Sequence, residues 1–172
     1  MNRIFFRAGA YSLVCFGMWL LLSQVGSSKV IEDDISSKLT GSWAGEGKAF
    51  GMPSRPEMKW ELTLNGKFIK LNYKTEMKSS KGETQVFEGH GYYKSLGQGK
   101  YQGVWFDSQG EQHPIVATFE NDALTANWGT PENTLGKTVY RLITPNEMEL
   151  IDSIRKKDGT WQEFSRARLK RM

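Results

Sequence analysis

The sequence predicts an all-β chain, an up-and-down antiparallel barrel of about ten strands preceded by one short helix. Three observations carry that prediction. From Gly41 onward apolar and polar residues alternate with a period of two, the spacing of a strand with one buried and one wet face. Turn-forming residues interrupt the alternation at short intervals, and nothing of helical length intervenes. A meander of this kind leaves two unpaired edges unless its first and last strands join, and closure into a barrel removes them.

The helix candidate is residues 30–39, where Ile31, Ile35 and Leu39 recur among Asp33, Asp34, Ser36 and Ser37; it is short and suited to plugging one barrel end. A first strand covers 41–50. In the next, Met58, Trp60, Leu62 and Leu64 form an apolar side against Glu57, Lys59, Glu61 and Thr63. Asn65-Gly66 supplies the two-residue type I′ turn that hairpins favour. The return strand places Ile69, Leu71, Tyr73, Thr75 and Met77 opposite Lys70, Asn72, Lys74 and Glu76. Strands follow at 83–93, 99–107, 112–120, 122–128, 137–144, 146–154 and 159–169. Their separators are Gly97, Ser108-Gln109-Gly110, Asn121-Asp122, Pro131-Glu132-Asn133, Pro145-Asn146 and Asp158-Gly159. No repeat, linker or low-complexity tract divides the chain, so residues 41–172 read as one barrel domain after a lead of 29–40. A barrel of eight or more strands has room for a small ligand, provided its own side chains do not fill it.

Ahead of the barrel, Arg3 and Arg7 precede an apolar run that ends near Gly26, Ser27 and Ser28. Charged, apolar and small-residue regions in that order read as a secretory signal peptide over residues 1–28, which would deliver the domain to the periplasm or the exterior. The alternative is an uncleaved anchor, since Ala8 to Val25 is 18 residues long and just spans a bilayer; only then would the protein hold a membrane. The whole chain of 172 residues carries 23 Lys+Arg against 19 Asp+Glu, but the first 28 residues contribute two arginines and no acid. The remainder, about 144 residues, is therefore close to neutral and offers little to nucleic acid. The single cysteine, Cys15, also lies in the leader, which leaves no thiol for a disulfide, a zinc site or a nucleophile. G-x-S-x-G, H-E-x-x-H and P-loop signatures are missing, and with two histidines most hydrolytic constellations cannot be assembled. A non-enzymatic role is the expectation.

The segment Gly41-Ser42-Trp43-Ala44-Gly45-Glu46-Gly47 resembles the Gly-x-Trp-x-Gly-x-Gly opening of lipocalin-like (calycin) barrels, especially the nitrobindin-like group. The similarity continues through Phe87–Tyr93, Tyr101–Gly110 and the Asp158-Gly159 strand ending in Arg166 and Arg168, over roughly residues 39–169. This set looks like a bacterial family of secreted domains of unknown function. Such barrels host fatty acids, retinoids, haem or nothing known, so the resemblance speaks to fold more than to function. It implies that a closing-strand Arg, Arg166 or Arg168, covers the Trp43 ring. Nitrobindin-like barrels hold haem through a histidine near the C-terminal strands, whereas Trp161–Arg168 contains none, so haem would fall to His90 or His113.

Candidate cavity-lining residues are Trp43, Trp60, Leu62, Tyr73, His90, Trp105, Trp128, Arg141 and Arg166. Trp43 reads either as a cavity wall or as a packing plug joining first and last strands. Glu88, His90 and Tyr92 share one strand face, and Phe87, Gly89, Gly91 and Tyr93 the other. The glycine and aromatic set fits a packed wall better, because an unpaired buried charge is costly. Trp105 and Asp107 share a face with Tyr101 and Gly103, and Asp107 reads as a turn residue before Ser108-Gln109-Gly110. Arg141 either faces inward to pair with a carboxylate or reaches the barrel mouth. The run Arg166, Arg168, Lys170 and Arg171 reads as a solvated strand end. These readings converge on a binder of a small apolar or amphipathic molecule, its head group fixed by an Arg or His and no cofactor required. The alternatives are a haem protein handling nitric oxide or peroxynitrite, and an envelope interaction module with a packed interior.

Overall fold

The computed structural model describes residues 34–130 and 134–172. The expected leader, Cys15 and the Pro131-Glu132-Asn133 turn lie outside the described residues. The first described element is α1 (Asp34–Lys38), a single turn that buries Ile35 and Leu39 together at one end of the molecule. Leu39 N–H donates to the Ile35 carbonyl at 2.9 Å, and Gly41, with φ 126°, then turns the chain into the first strand.

Ten strands follow: β1 (Gly41–Ala49), β2 (Met52–Thr63), β3 (Phe68–Lys78), β4 (Thr84–Gly97), β5 (Lys100–Asp107), β6 (Gln112–Glu120), β7 (Ala123–Gly129), β8 (Thr134–Thr144), β9 (Glu147–Arg155) and β10 (Trp161–Arg171). Each pairs antiparallel with its sequence neighbours, and β1 pairs with β10 from Trp43↔Arg171 to Ala49↔Ser165, closing the barrel. The fold expected from the alternation is thus the one observed.

Two local expectations need revision. β2 starts at Met52, ahead of the 57–64 alternation, and runs through Pro53 and Pro56. Its register with β1 skips from Ala44↔Glu57 to Gly47↔Ser54, so Pro56 sits where no ladder bond to β1 is required of it. Leu64 belongs to the turn, where it takes φ 51° ahead of Asn65 (57°) and Gly66 (72°) and points into solvent. The turn itself is closed as expected, Lys67 N–H donating to the Leu64 carbonyl at 3.2 Å.

The buried side chains concentrate in the half of the barrel next to α1. There Trp43, Trp60, Ile69, Leu71, Tyr101, Leu124, Met148, Leu150 and Leu169 are essentially sealed from solvent. Trp43 Nε1 donates to the Leu39 carbonyl at 2.8 Å, tying the plug to the first strand. The resemblance placed Arg166 or Arg168 over this ring, but the structure places Arg171 there, 4.2 Å from the ring centroid. The reason is the pleat: Ala167 and Leu169 face inward, so Arg166 and Arg168 face outward and Arg171 returns to the inner side opposite Trp43.

Candidate functional site

Toward the other end the inward side chains stop meeting one another and leave a cavity of about 390 Å³. Its floor is the Tyr93 and Tyr140 pair, backed by Trp60 at ring-centroid distances of 5.4 and 5.1 Å. Its walls are aromatic: Tyr73, Phe87, Trp105, Trp128 and Phe164. Phe87 and Trp105 stack at 6.4 Å with ring planes 19° apart, and Phe50 stacks on Phe164 at 4.7 Å.

Two glycines explain why these large rings fit on the inner wall. A Cβ added to Gly89 would fall 2.0 Å from Cζ2 of Trp105, and one on Gly136 would fall 2.0 Å from Cζ2 of Trp128. Each indole therefore lies flat over bare backbone on a neighbouring strand. We expect Gly89→Ala to displace Trp105 into the cavity and to weaken binding of a neutral aromatic probe about tenfold, equivalent to ~1.4 kcal/mol. Equal affinity in titrations of the two proteins would show that the seat does not shape the cavity.

The polar content of the cavity is lopsided. Asp152 sits on β9 among inward Leu150 and Ile154, and its Oδ1 accepts from the Thr138 hydroxyl at 2.7 Å. Burial pushes its pKa up to about 6, partly offset by hydrogen bonds from Thr138 and Ser165. Asp107 and Glu111 stand at the rim with His113, whose ring lies 5.7 Å from that of Trp128. Among the described residues no Lys or Arg lines the cavity. Burial also pushes the phenols of Tyr73, Tyr93 and Tyr140 up, so all three keep their protons at neutral pH. The Thr75 hydroxyl is near enough to Tyr73 to favour its phenolate, yet it makes no hydrogen bond of ordinary geometry. Among the described residues no group of three His, Cys, Asp or Glu is arranged to hold a metal ion.

Of the residues singled out from sequence, Tyr73, Trp105 and Trp128 line the cavity. Trp43 and Trp60 are buried beneath it and serve as plug and support. Leu62 has inward parity but lies near the end of β2, where it is 40% exposed. His90 is on the outer face, because Gly89, Gly91 and Tyr93 take the inside of β4. Arg141 and Arg166 are also outside, for Tyr140 and Ala167 occupy the inward positions beside them; both approach Glu149, at 3.9 and 2.6 Å. Asp107 is the turn residue expected, accepting from the amides of Gln109 and Glu111 at 2.9 and 3.2 Å.

Sequence reasoning passed over Asp152 and Phe164. The first had a legible signal, since Met148, Leu150, Asp152 and Ile154 share one parity and an acid on an apolar face is a conspicuous exception. The second had none. Phe164 is the extra residue of a bulge between Glu163 and Ser165, which brings two consecutive side chains to the cavity where alternation allows one.

Comparison with known proteins gives a family and a fold. The family described as "Protein of unknown function (DUF1579)" matches residues 34–171. A crystal structure of Rv2717c from M. tuberculosis is similar with a TM-score of 0.57 and 19% identity, covering 79% of this chain and 94% of that one. A phycobiliprotein lyase, CPES from Guillardia theta, aligns at a TM-score of 0.45 and 9% identity, over 79% of this chain and 89% of its own. A designed fluorescence-activating β-barrel aligns at 0.43 and 15% identity, over 81% and 99%. No curated protein matches the sequence.

Proposed function

The chain belongs to the DUF1579 family, and from that premise we propose that it is a non-enzymatic binder that encloses a small apolar or amphipathic molecule in the open half of its barrel, working outside the cytoplasm. The observation that carries this is the aromatic-walled cavity of about 390 Å³. A barrel that served only as a packed interaction module would have no use for indoles seated on glycines around an unfilled interior. Apolar surface transferred from water to these walls contributes ~25 cal/mol per Å², and the rigid floor of Trp60, Tyr93 and Tyr140 lowers the ordering cost of binding.

The test uses the neutral fluorophore N-phenyl-1-naphthylamine. Binding is expected to raise and blue-shift its emission, and Ala126→Phe, which adds a ring to the cavity wall, is expected to abolish the effect while leaving the far-ultraviolet circular dichroism unchanged. No emission change with the unaltered protein, or an unchanged response in Ala126→Phe, rejects the reading.

The haem alternative has one residue in its favour, His113, the described histidine that lines the cavity. The surroundings do not suit the group. Asp107 and Glu111 share the rim with His113, so the two carboxylates of a haem would meet two more and, among the described residues, no Lys or Arg lining the cavity. Titration with haemin is expected to give no Soret shift; a shift that disappears in His113→Ala would restore the alternative.

A further inference from the structure

We propose that the cavity selects ligands bearing a protonated amine over isosteric carboxylates, with Asp152 as the counter-ion; this rests on the reading of the barrel as a binder. The chain as a whole carries more Lys+Arg than Asp+Glu, 23 against 19, yet the cavity reverses that balance. Among the described residues its lining includes Asp107, Glu111 and Asp152 and no Lys or Arg. The basic residues are turned outward by the pleat, Arg141 and Arg166 pairing with Glu149 on the outer surface.

Asp152 differs from the two rim acids. Asp107 is occupied by its own turn and by the Trp105 Nε1 donor at 3.3 Å, and Glu111 is exposed. Asp152 lies deeper, toward the tyrosine floor, and the groups that hydrogen-bond it are the neutral hydroxyls of Thr138 and Ser165. A carboxylate so placed lacks a cation, and a ligand ammonium supplies one. The groups facing it from the packed strands are Tyr73 on β3, Tyr93 on β4, Tyr140 and Thr138 on β8, and Ser165 on β10. All are uncharged near neutral pH, so none competes with a ligand cation or repels it.

A second, separate feature points to a ligand. Thr75 is only 4% exposed and lines the cavity, and its Oγ1 approaches the Tyr73 phenol without making a hydrogen bond of ordinary geometry. A buried hydroxyl left in that condition is costly, and a ligand N–H satisfies it. The aromatic walls complete the site, because indole and phenol faces attract an ammonium and its adjacent methylene groups. A fatty acid or any other carboxylate would instead bring a second anion beside Asp152, where no positive side chain among the described residues lines the cavity.

Calorimetric titration with phenylbutylamine, phenylbutanol and phenylbutyrate, a cation, a neutral molecule and an anion of nearly one shape, tests this at about pH 8. The amine is expected to bind at least tenfold more tightly than the alcohol, and the carboxylate more weakly than either. The preference for the amine is expected to disappear below about pH 6 in the unaltered protein, and at about pH 8 in Asp152→Asn. If the three bind equally, or the carboxylate binds best, the charge preference is wrong while the binder reading stands. If none of the three binds, both fall. A preference for the amine that survives in Asp152→Asn, or that does not change with pH in the unaltered protein, removes Asp152 from the role.

Discussion

Asp152→Asn is expected to raise the melting temperature at about pH 8 and to leave it nearly unchanged at about pH 4. Burial lifts the Asp152 carboxyl from 3.8 to about 6. Between those two pH values the folded chain holds this proton more tightly than the unfolded chain, so stability falls as pH rises through the interval. The group's contribution is complete below the unfolded value and lost above about pH 6, the reverse of a salt-bridged aspartate. At about pH 8 the burial of an ion without a cationic partner costs on the order of 2 kcal/mol, after allowance for water entering the open cavity. Asparagine keeps the shape and the oxygen that accepts from Thr138, but carries no charge. Thermal melts of both proteins across this range isolate the effect, since all other acids are shared. An equal gain at both pH values, or a loss at about pH 8, would show that the carboxylate is not destabilising.

Arg171→Ala is expected to destabilise the barrel by roughly 2–4 kcal/mol through lost stacking and lost charged hydrogen bonds. The guanidinium lies over Trp43 and also donates to three backbone carbonyls, those of Thr40, Lys38 at 2.7 Å and Pro145 at 3.2 Å. One side chain thus joins the end of the last strand to the plug, to the first strand and to the β8–β9 turn. The melting temperature should drop by roughly 6–12 °C for a domain of this size. Arg171→Lys should recover less than half, because an ammonium has neither the planar face for stacking nor the fork for several acceptors. A change of less than about 2 °C for Arg171→Ala would mean that the plug holds without the latch.

Arg171 also marks where reading the chain in one dimension stops. As the fourth base of Arg166, Arg168, Lys170 and Arg171 it reads as one more solvated charge. Its role depends on facing Trp43 across the β1–β10 seam, a pairing of residues from the first and last strands that no local pattern encodes. His90 teaches a related lesson. The period of two separates the residues of β4 into two faces with certainty, but both faces carry aromatics, and alternation alone is blind to which face is the inside. Gly89 holds the answer, for an inner wall that seats Trp105 leaves no space for a Cβ there. At Phe164 the period itself fails, because a bulge puts two neighbours on the cavity side.

By itself, then, the sequence determined the number and order of the strands, the turns that join them, the plug of Ile35 and Leu39, and the aromatic character of the interior. These follow from spacing between near neighbours, which a chain carries wherever it folds. The tertiary structure alone decided that Arg141 and Arg166 face out, that Arg171 latches the closed end, and that Asp152, Asp107 and Glu111 meet at one cavity that no Lys or Arg among the described residues lines. Those residues come from separate strands and a turn, and only closure of the barrel sets them around one cavity. The sign of the charge that a ligand meets is therefore a property of the closed barrel and not of any segment of the chain.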